Sequence, residues 1–124
     1  MVGRGTFVWP TDNHSLSGND YGPEHPGIDL TAGEGSPVYA ADSGIVMAAG
    51  DDETGFGKII QIDHGNGYYT MYAHLSTIKV NVSQCVRVGQ LIGAAGNTGN
   101  SEGAHLHFAV MKKGYYVNPW QVLH

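Results

Sequence analysis

No window of this chain carries a sustained 3.6-residue apolar period, and Gly or Pro interrupts it about every ten residues. That punctuation rules out a helix bundle and leaves short strands as the available element. Gly fills 19 of the 124 positions, about twice the ordinary share of ~7%. The glycines follow no G-X-Y period, which excludes collagen. Strand-like segments run over 37–40, 44–49, 58–63, 68–74, 91–95, 105–111 and 115–117. Asp63-His64-Gly65-Asn66-Gly67 lies between the third and fourth, and its Asn-Gly is a strong tight-hairpin signal. The expected fold is all-β, in one domain, 1–124, with short strands and Gly-rich turns. The first 24 residues are polar and turn-rich, and should wrap the sheet as loop or edge strand. Asp51-Asp52-Glu53 reads as a solvated loop tip, and Cys85 as a half-buried strand residue that can form no intrachain disulfide.

Eleven acidic and six scattered basic residues give a formal charge of −5. Nucleic acids and anionic membrane surfaces both demand clustered Lys and Arg, so neither is an expected partner. The longest apolar run, 45–49, is far below the ~20 residues of a membrane helix, and no charged-then-apolar leader opens the chain. With 41% hydrophobic and 14% charged residues, the chain has the means to build a core and is not disordered.

Several short motifs fail on context. Gly99-Asn100-Ser101-Glu102-Gly103 matches G-x-S-x-G, but a serine hydrolase needs a strand before it, a helix after it, and a downstream acid. Here an alternating strand follows and no Asp or Glu comes after Glu102, so the match reads as a Gly-rich turn. Gly57-Lys58 lacks the rest of a phosphate loop. Asn13-His14-Ser15 and Asn81-Val82-Ser83 are chance glycosylation matches, and no H-E-x-x-H or paired C-x-x-C is present.

Seven histidines against six Lys plus Arg is the odd entry in the composition. In His105-Leu106-His107-Phe108, a period of two puts both imidazoles on one face and Leu106 and Phe108 on the other. Alone, the pair fits a solvated face as well as a metal or acid–base site. In His25-Pro26-Gly27-Ile28-Asp29-Leu30, Pro and Gly exclude a helix. Extended chain puts His25, Gly27 and Asp29 on one face, with Ile28 and Leu30 inward; an Asx turn closed by Asp29 is the equal alternative. Together the two segments offer neutral imidazoles and a carboxylate, the donor set of a catalytic zinc with one open position. Tyr72-Ala73-His74-Leu75 adds a His at the end of an apolar strand, where Met71 and Leu75 are the better core candidates.

His25-x-x-x-Asp29, Tyr72-Ala73-His74-Leu75 and His105-Leu106-His107-Phe108, in this order, resemble the lysostaphin/LytM-type zinc endopeptidases, which cut peptide cross-links of bacterial peptidoglycan. The resemblance runs from about Pro23 to Leu123, giving a catalytic core over 23–123 and a flanking loop or edge segment over 1–22. It includes Gly35-Ser36-Pro37-Val38-Tyr39-Ala40-Ala41, Gly44-Ile45-Val46, Ile62 to Gly67, Gly89-Gln90-Leu91-Ile92-Gly93 and Asn118-Pro119. It implies a compact antiparallel β-sheet or barrel-sandwich fold with a narrow loop-walled active-site groove, and an extracytoplasmic location. His25, Asp29 and His107 match the Zn2+ ligands; His74 and His105 match two catalytic histidines that leave the metal free. His14, His64 and His124 match no functional position. The chain has Ala109 where the family often has Glu, and Asn19 to Gly22 lacks the Phe-Gly-x-Arg stretch common in relatives. Two other readings compete: an inactive relative of the same fold that regulates other wall hydrolases, and a cupin-like iron oxygenase, since two His and one carboxylate also suit Fe(II).

Overall fold

The computed structural model describes residues 3, 7–16, 20–22, 25–52, 55–98 and 103–123. Among these, nine strands follow in order: β1 Gly27–Thr31, β2 Pro37–Tyr39, β3 Gly44–Asp52, β4 Gly57–Asp63, β5 Tyr68–Ile78, β6 Cys85–Val86, β7 Leu91–Ala95, β8 His105–Lys112 and β9 Tyr115–Val117. A single 3-10 turn, Pro119–Gln121, starts where Asn118 accepts the Trp120 N–H on its side chain. All strand pairs are antiparallel and belong to one sheet, ordered β1-β8-β5-β4-β3-β6, with β7 joining β2 to β5 and β9 beside β8. The all-β expectation therefore stands, as a sheet that does not close into a barrel. Among the described residues, no helix is long and apolar enough to cross a membrane.

β5 is the spine of this sheet. Its first half pairs with β8 (Tyr68↔Lys112 to Ala73↔His107), its end pairs with β7, and its other edge carries β4. Alternation along β1 and β8 sorts side chains cleanly: Ile28, Leu30, Leu106 and Phe108 are fully buried on the core face. Each such side chain contributes about 1.5–3 kcal/mol, enough to hold the opposite, polar face of both strands in one register. A slip of one residue would turn every one of these groups over.

Three expectations change. Asp51 and Asp52 form no loop tip: they end β3, opposite Lys58 and Gly57, because the β3–β4 hairpin runs on beyond the core; Glu53 lies outside the described residues. Cys85 is exposed, because β6 is the last strand at that edge and only its Val86 turns to the core. The β4–β5 connection is wider than an Asn-Gly turn. His64 N–H donates to the Tyr68 carbonyl, and the positive φ values fall on Gly65 and Gly67.

His64 is the surprise of that connection, because it is fully buried. Its Nδ1–H donates to the Ser43 carbonyl at 2.7 Å, so Nε2 is an acceptor and takes the Thr70 hydroxyl at 2.9 Å. Thr70 Oγ1 in turn lies 2.7 Å from the Tyr72 hydroxyl, which accepts the Ala41 N–H at 3.0 Å. Every donor in this chain has an acceptor, which is what makes a buried polar row tolerable. Burial lowers the His64 pKa, only partly offset by the Ser43 bond and by Asp42 and Asp63, and pushes the Tyr72 phenol up. The unfolded chain therefore takes up a proton that the folded one refuses. His64 adds stability that is fully present above the ordinary value near ~6.5 and lost as pH falls toward its lowered folded value. Denaturant unfolding from pH 7.5 to 5 should show this slope, and His64→Gln should flatten it. Thr70→Val, which strands both Nε2 and the Tyr72 hydroxyl, should cost about 1–3 kcal/mol at pH 7.5.

Candidate metal centre

The register of β1 on β8 sets Asp29 opposite His107 and Thr31 opposite His105, and β8 on β5 sets His107 opposite Ala73. Asp29, His107, His105 and Ala73 thus share the face away from the core. Asp29 and His107 are buried, while His25 and His105 keep partial exposure. One carboxylate oxygen gathers three rings: Asp29 Oδ1 lies 3.0 Å from His107 Nδ1, 3.4 Å from His25 Nε2 and 3.6 Å from His105 Nε2. Burial alone would raise the Asp29 pKa, but the His107 hydrogen bond and the fields of His105, His107 and His25 outweigh it and hold the carboxyl below its ordinary value.

Gly27 is what lets β1 come this close. A Cβ there would collide with the Phe108 carbonyl oxygen, and would lie 3.1 Å from both Ala109 Cβ and His107 Cε1. Ala109 itself is buried in this contact, so the residue that replaces the common Glu serves as the small partner of Gly27.

His74 reaches the same face by a different route. An unbroken strand would turn it to the core with Tyr72, yet its ring centroid lies 4.9 Å from His105 and 6.1 Å from His107. The β4–β5 register shifts between Lys58 and Ile60, which marks a bulge in β5 opposite Ile59. His74 has φ 62 within it, and Tyr72 and Leu75, three residues apart, both return to the core. β5 also continues to Ile78, so His74 sits mid-strand and not at a strand end. Such a positive φ is costly for a residue with a Cβ, and two bonds hold it: His74 N–H to the Phe56 carbonyl at 2.8 Å, and Nδ1–H to the Thr98 carbonyl at 2.7 Å. Burial, with the neighbouring His105 and His107, lowers the His74 pKa against the opposing pull of the Thr98 bond and Asp29.

Backbone carbonyls fix the tautomers. His25 Nδ1–H donates to Gly27 O at 2.7 Å and Asp20 O at 3.1 Å, and His105 Nδ1–H donates to Gly103 O at 2.8 Å. In His25, His74 and His105 the proton therefore sits on Nδ1, and an Nε2 lone pair is left for the centre. His107 is reversed: Nδ1 meets Asp29, and its buried Nε2 has no hydrogen-bond partner.

His25, Asp29 and His107 each offer a ligand atom, all within 4.8 Å of one another. Two neutral imidazoles and an ionised carboxylate on a common point fit a borderline divalent ion such as zinc. All five residues singled out in the sequence thus come together. His14 does not join them; it stacks on Trp9 at 4.3 Å. His124 and the Gly99 to Glu102 turn lie outside the described residues.

Two contributors escaped the sequence reading. Phe56 stacks on His107 at 5.3 Å and walls the site; an aromatic between two glycines in a hairpin was its one visible signal. Thr98 had no signal, since it acts through its carbonyl. Past Thr31, β1 opens on a pocket of about 170 Å³ lined by Thr11, Asp12, Asn13, Ser36 and Pro37 among others.

The profile of peptidase family M23 matches residues 23–119, and the chain belongs to that family. It is 42% identical over 98 residues to the DD-carboxypeptidase/endopeptidase Mpg of Neisseria meningitidis, covering 79% of this chain and 22% of that protein. It is 36% identical over 118 residues to the murein hydrolase activator NlpD of Salmonella typhimurium, covering 93% of this chain and 30% of NlpD. A zinc-containing peptidase from Vibrio cholerae superposes with TM-score 0.85 at 31% identity, over 91% of this chain and 39% of that one. The lysostaphin catalytic domain of Staphylococcus simulans does so with TM-score 0.76 at 33% identity, over 91% and 87%. The chain spans less than half the length of the curated relatives it matches. The single sheet and this family leave no place for the cupin-like alternative.

Gly27→Ala should push β1 off β8 and separate Asp29 from His107. Zinc affinity, read by competition with a chromogenic chelator, should fall at least about tenfold, the scale of a lost supporting contact at a metal site.

Proposed function

We propose that this chain is a zinc-dependent endopeptidase that hydrolyses peptide cross-links or stem peptides of bacterial peptidoglycan, with 23–123 as its catalytic core and 1–22 as a flanking segment. The observation that carries this reading is the convergence of His25, Asp29 and His107 within 4.8 Å, beside two further histidines with carbonyl-fixed tautomers. His25, Asp29 and His107 are assigned as the metal ligands, and His74 and His105 as the catalytic side chains. A zinc ion held there supplies Lewis-acid activation of a water molecule and of the scissile carbonyl.

His105, its Nδ1 committed to Gly103, presents Nε2 as the acceptor for the proton of the attacking water and later returns it to the leaving amine. His74 donates from Nε2 to the developing oxyanion once it carries a second proton. Its burial favours the neutral ring at rest, so that second proton is taken up from solvent before attack and is returned to solvent after turnover. Asp29, His74 and His107 are buried, a placement that suits slim Gly- and D-Ala-containing peptides better than folded proteins. The −5 charge would be repelled by anionic wall polymers, so any wall targeting would come from other segments. The relatives named as wall enzymes and activators support an extracytoplasmic place of action.

The 36% identity to NlpD favours a second reading, a regulatory module acting on other wall hydrolases. Release of new amino groups from purified peptidoglycan, with and without chelator, separates the two. Chelator-sensitive release supports the endopeptidase; no release by the zinc-loaded protein, with stimulation of an added wall amidase, supports the regulator. His74→Ala should keep one zinc per chain and lose about 10²-fold or more in turnover, while Asp29→Ala should lose the zinc. An intact rate in His74→Ala would sink the catalytic assignment.

A further inference from the structure

We propose that Thr98 is the positioning residue for His74: its hydroxyl fills the gap that the β5 bulge opens in the β4–β5 ladder, and its carbonyl thereby sets the direction of the His74 ring. The inference rests on the reading of His74 as a catalytic side chain. Lys58 and Leu75 are opposite residues at the edge of the register shift. The Thr98 hydroxyl joins them, accepting the Lys58 N–H at 3.1 Å and donating to the Leu75 carbonyl at 2.7 Å. One group thus serves a donor on β4 and an acceptor on β5, which only a side chain with both capacities can do.

Held from both sides, the Thr98 backbone has a fixed place, and its carbonyl accepts the His74 Nδ1–H at 2.7 Å. His74 is not held there by strand geometry, since its φ of 62 departs from an extended chain. Its Nδ1–H has this one carbonyl as partner, so the carbonyl determines both the tautomer and the aim of Nε2 toward His105, 4.9 Å away between ring centroids. Valine would match threonine in size and supply neither bond. The Lys58 N–H and Leu75 carbonyl would then seek other partners, and the carbonyl that aims His74 would move with the loop.

The test compares zinc-loaded wild type with Thr98→Val and Thr98→Ser on a soluble peptidoglycan peptide. Zinc affinity is read by chelator competition, and the His74 ring by nitrogen-15 NMR. Thr98→Val should keep zinc affinity and KM within about twofold and lose kcat by about tenfold or more, the scale of a misaimed group. Its His74 ring should lose the Nδ1–H signature, and Thr98→Ser should restore both. Should the valine variant fail to fold, Thr98→Ala carries the same expectation. A valine variant with an unchanged ring signature and kcat overturns the proposal, as does a serine variant no better than valine. A wild type that binds zinc yet cuts nothing overturns the catalytic reading of His74, while the ring signature still decides whether Thr98 sets the ring.

Discussion

The Asp29 carboxylate, buried on the polar face of β1 and approached by His25, His105 and His107 on one oxygen, is the interaction on which the rest of the arrangement depends. A buried carboxylate is costly unless it is hydrogen-bonded or faces positive charge. Here the His107 Nδ1–H supplies that hydrogen bond from β8. His105 on the same strand and His25 on the turn before β1 bring their rings to the same oxygen, so the arrangement holds only in the observed β1–β8 register. The fully buried Ile28, Leu30, Leu106 and Phe108 hold that register from the opposite face. Gly27 permits the approach that brings the strands together at the site. Core packing and site geometry are thus two faces of one strand pair.

Around this pair, the chain controls its histidines with backbone carbonyls in place of acidic side chains. Gly27, Gly103 and Thr98 each present an oxygen to an Nδ1–H, which costs no buried charge and leaves Asp29, among the described residues, as the carboxylate that the rings share. The same device recurs far from the site, where Ser43 fixes the tautomer of buried His64. At His74 and His64 burial favours the neutral ring, and the carbonyl that orients it lies on a different stretch of chain. A fold of short strands and many turns has carbonyls to spare for this, because its loops are not engaged in ladders.

Much of the site was legible from residue order. Period two placed His105 with His107, which holds in the folded chain because β8 is regular there; His25 precedes β1, and its Nδ1–H on the Gly27 carbonyl turns its ring to Asp29. The same rule fails for His74. The bulge in β5 inverts the face of one residue, and nothing in Tyr72-Ala73-His74-Leu75 announces it. His64 illustrates the converse: nothing in its Gly-rich turn announced burial, yet Phe7 packs on its ring at 5.3 Å and Thr70 meets its Nε2. Cys85 and the Asp51–Asp52 pair were misplaced because edge position and hairpin length are properties of the assembled sheet.

By itself the sequence determined the class of fold, since Gly and Pro spacing forbids long helices and alternation supplies the strands. It also determined the donor types and their grouping into three segments, because side-chain chemistry and strand period are local. Only the tertiary structure decided that His25, His105 and His107 meet at one Asp29 oxygen, which face His74 occupies, and which carbonyl sets its tautomer. Those outcomes turn on register, a bulge and contacts such as His74 with Thr98 and Asp29 with His107, 24 and 78 positions apart. They are set by the packing of the whole sheet and not by any window of the chain.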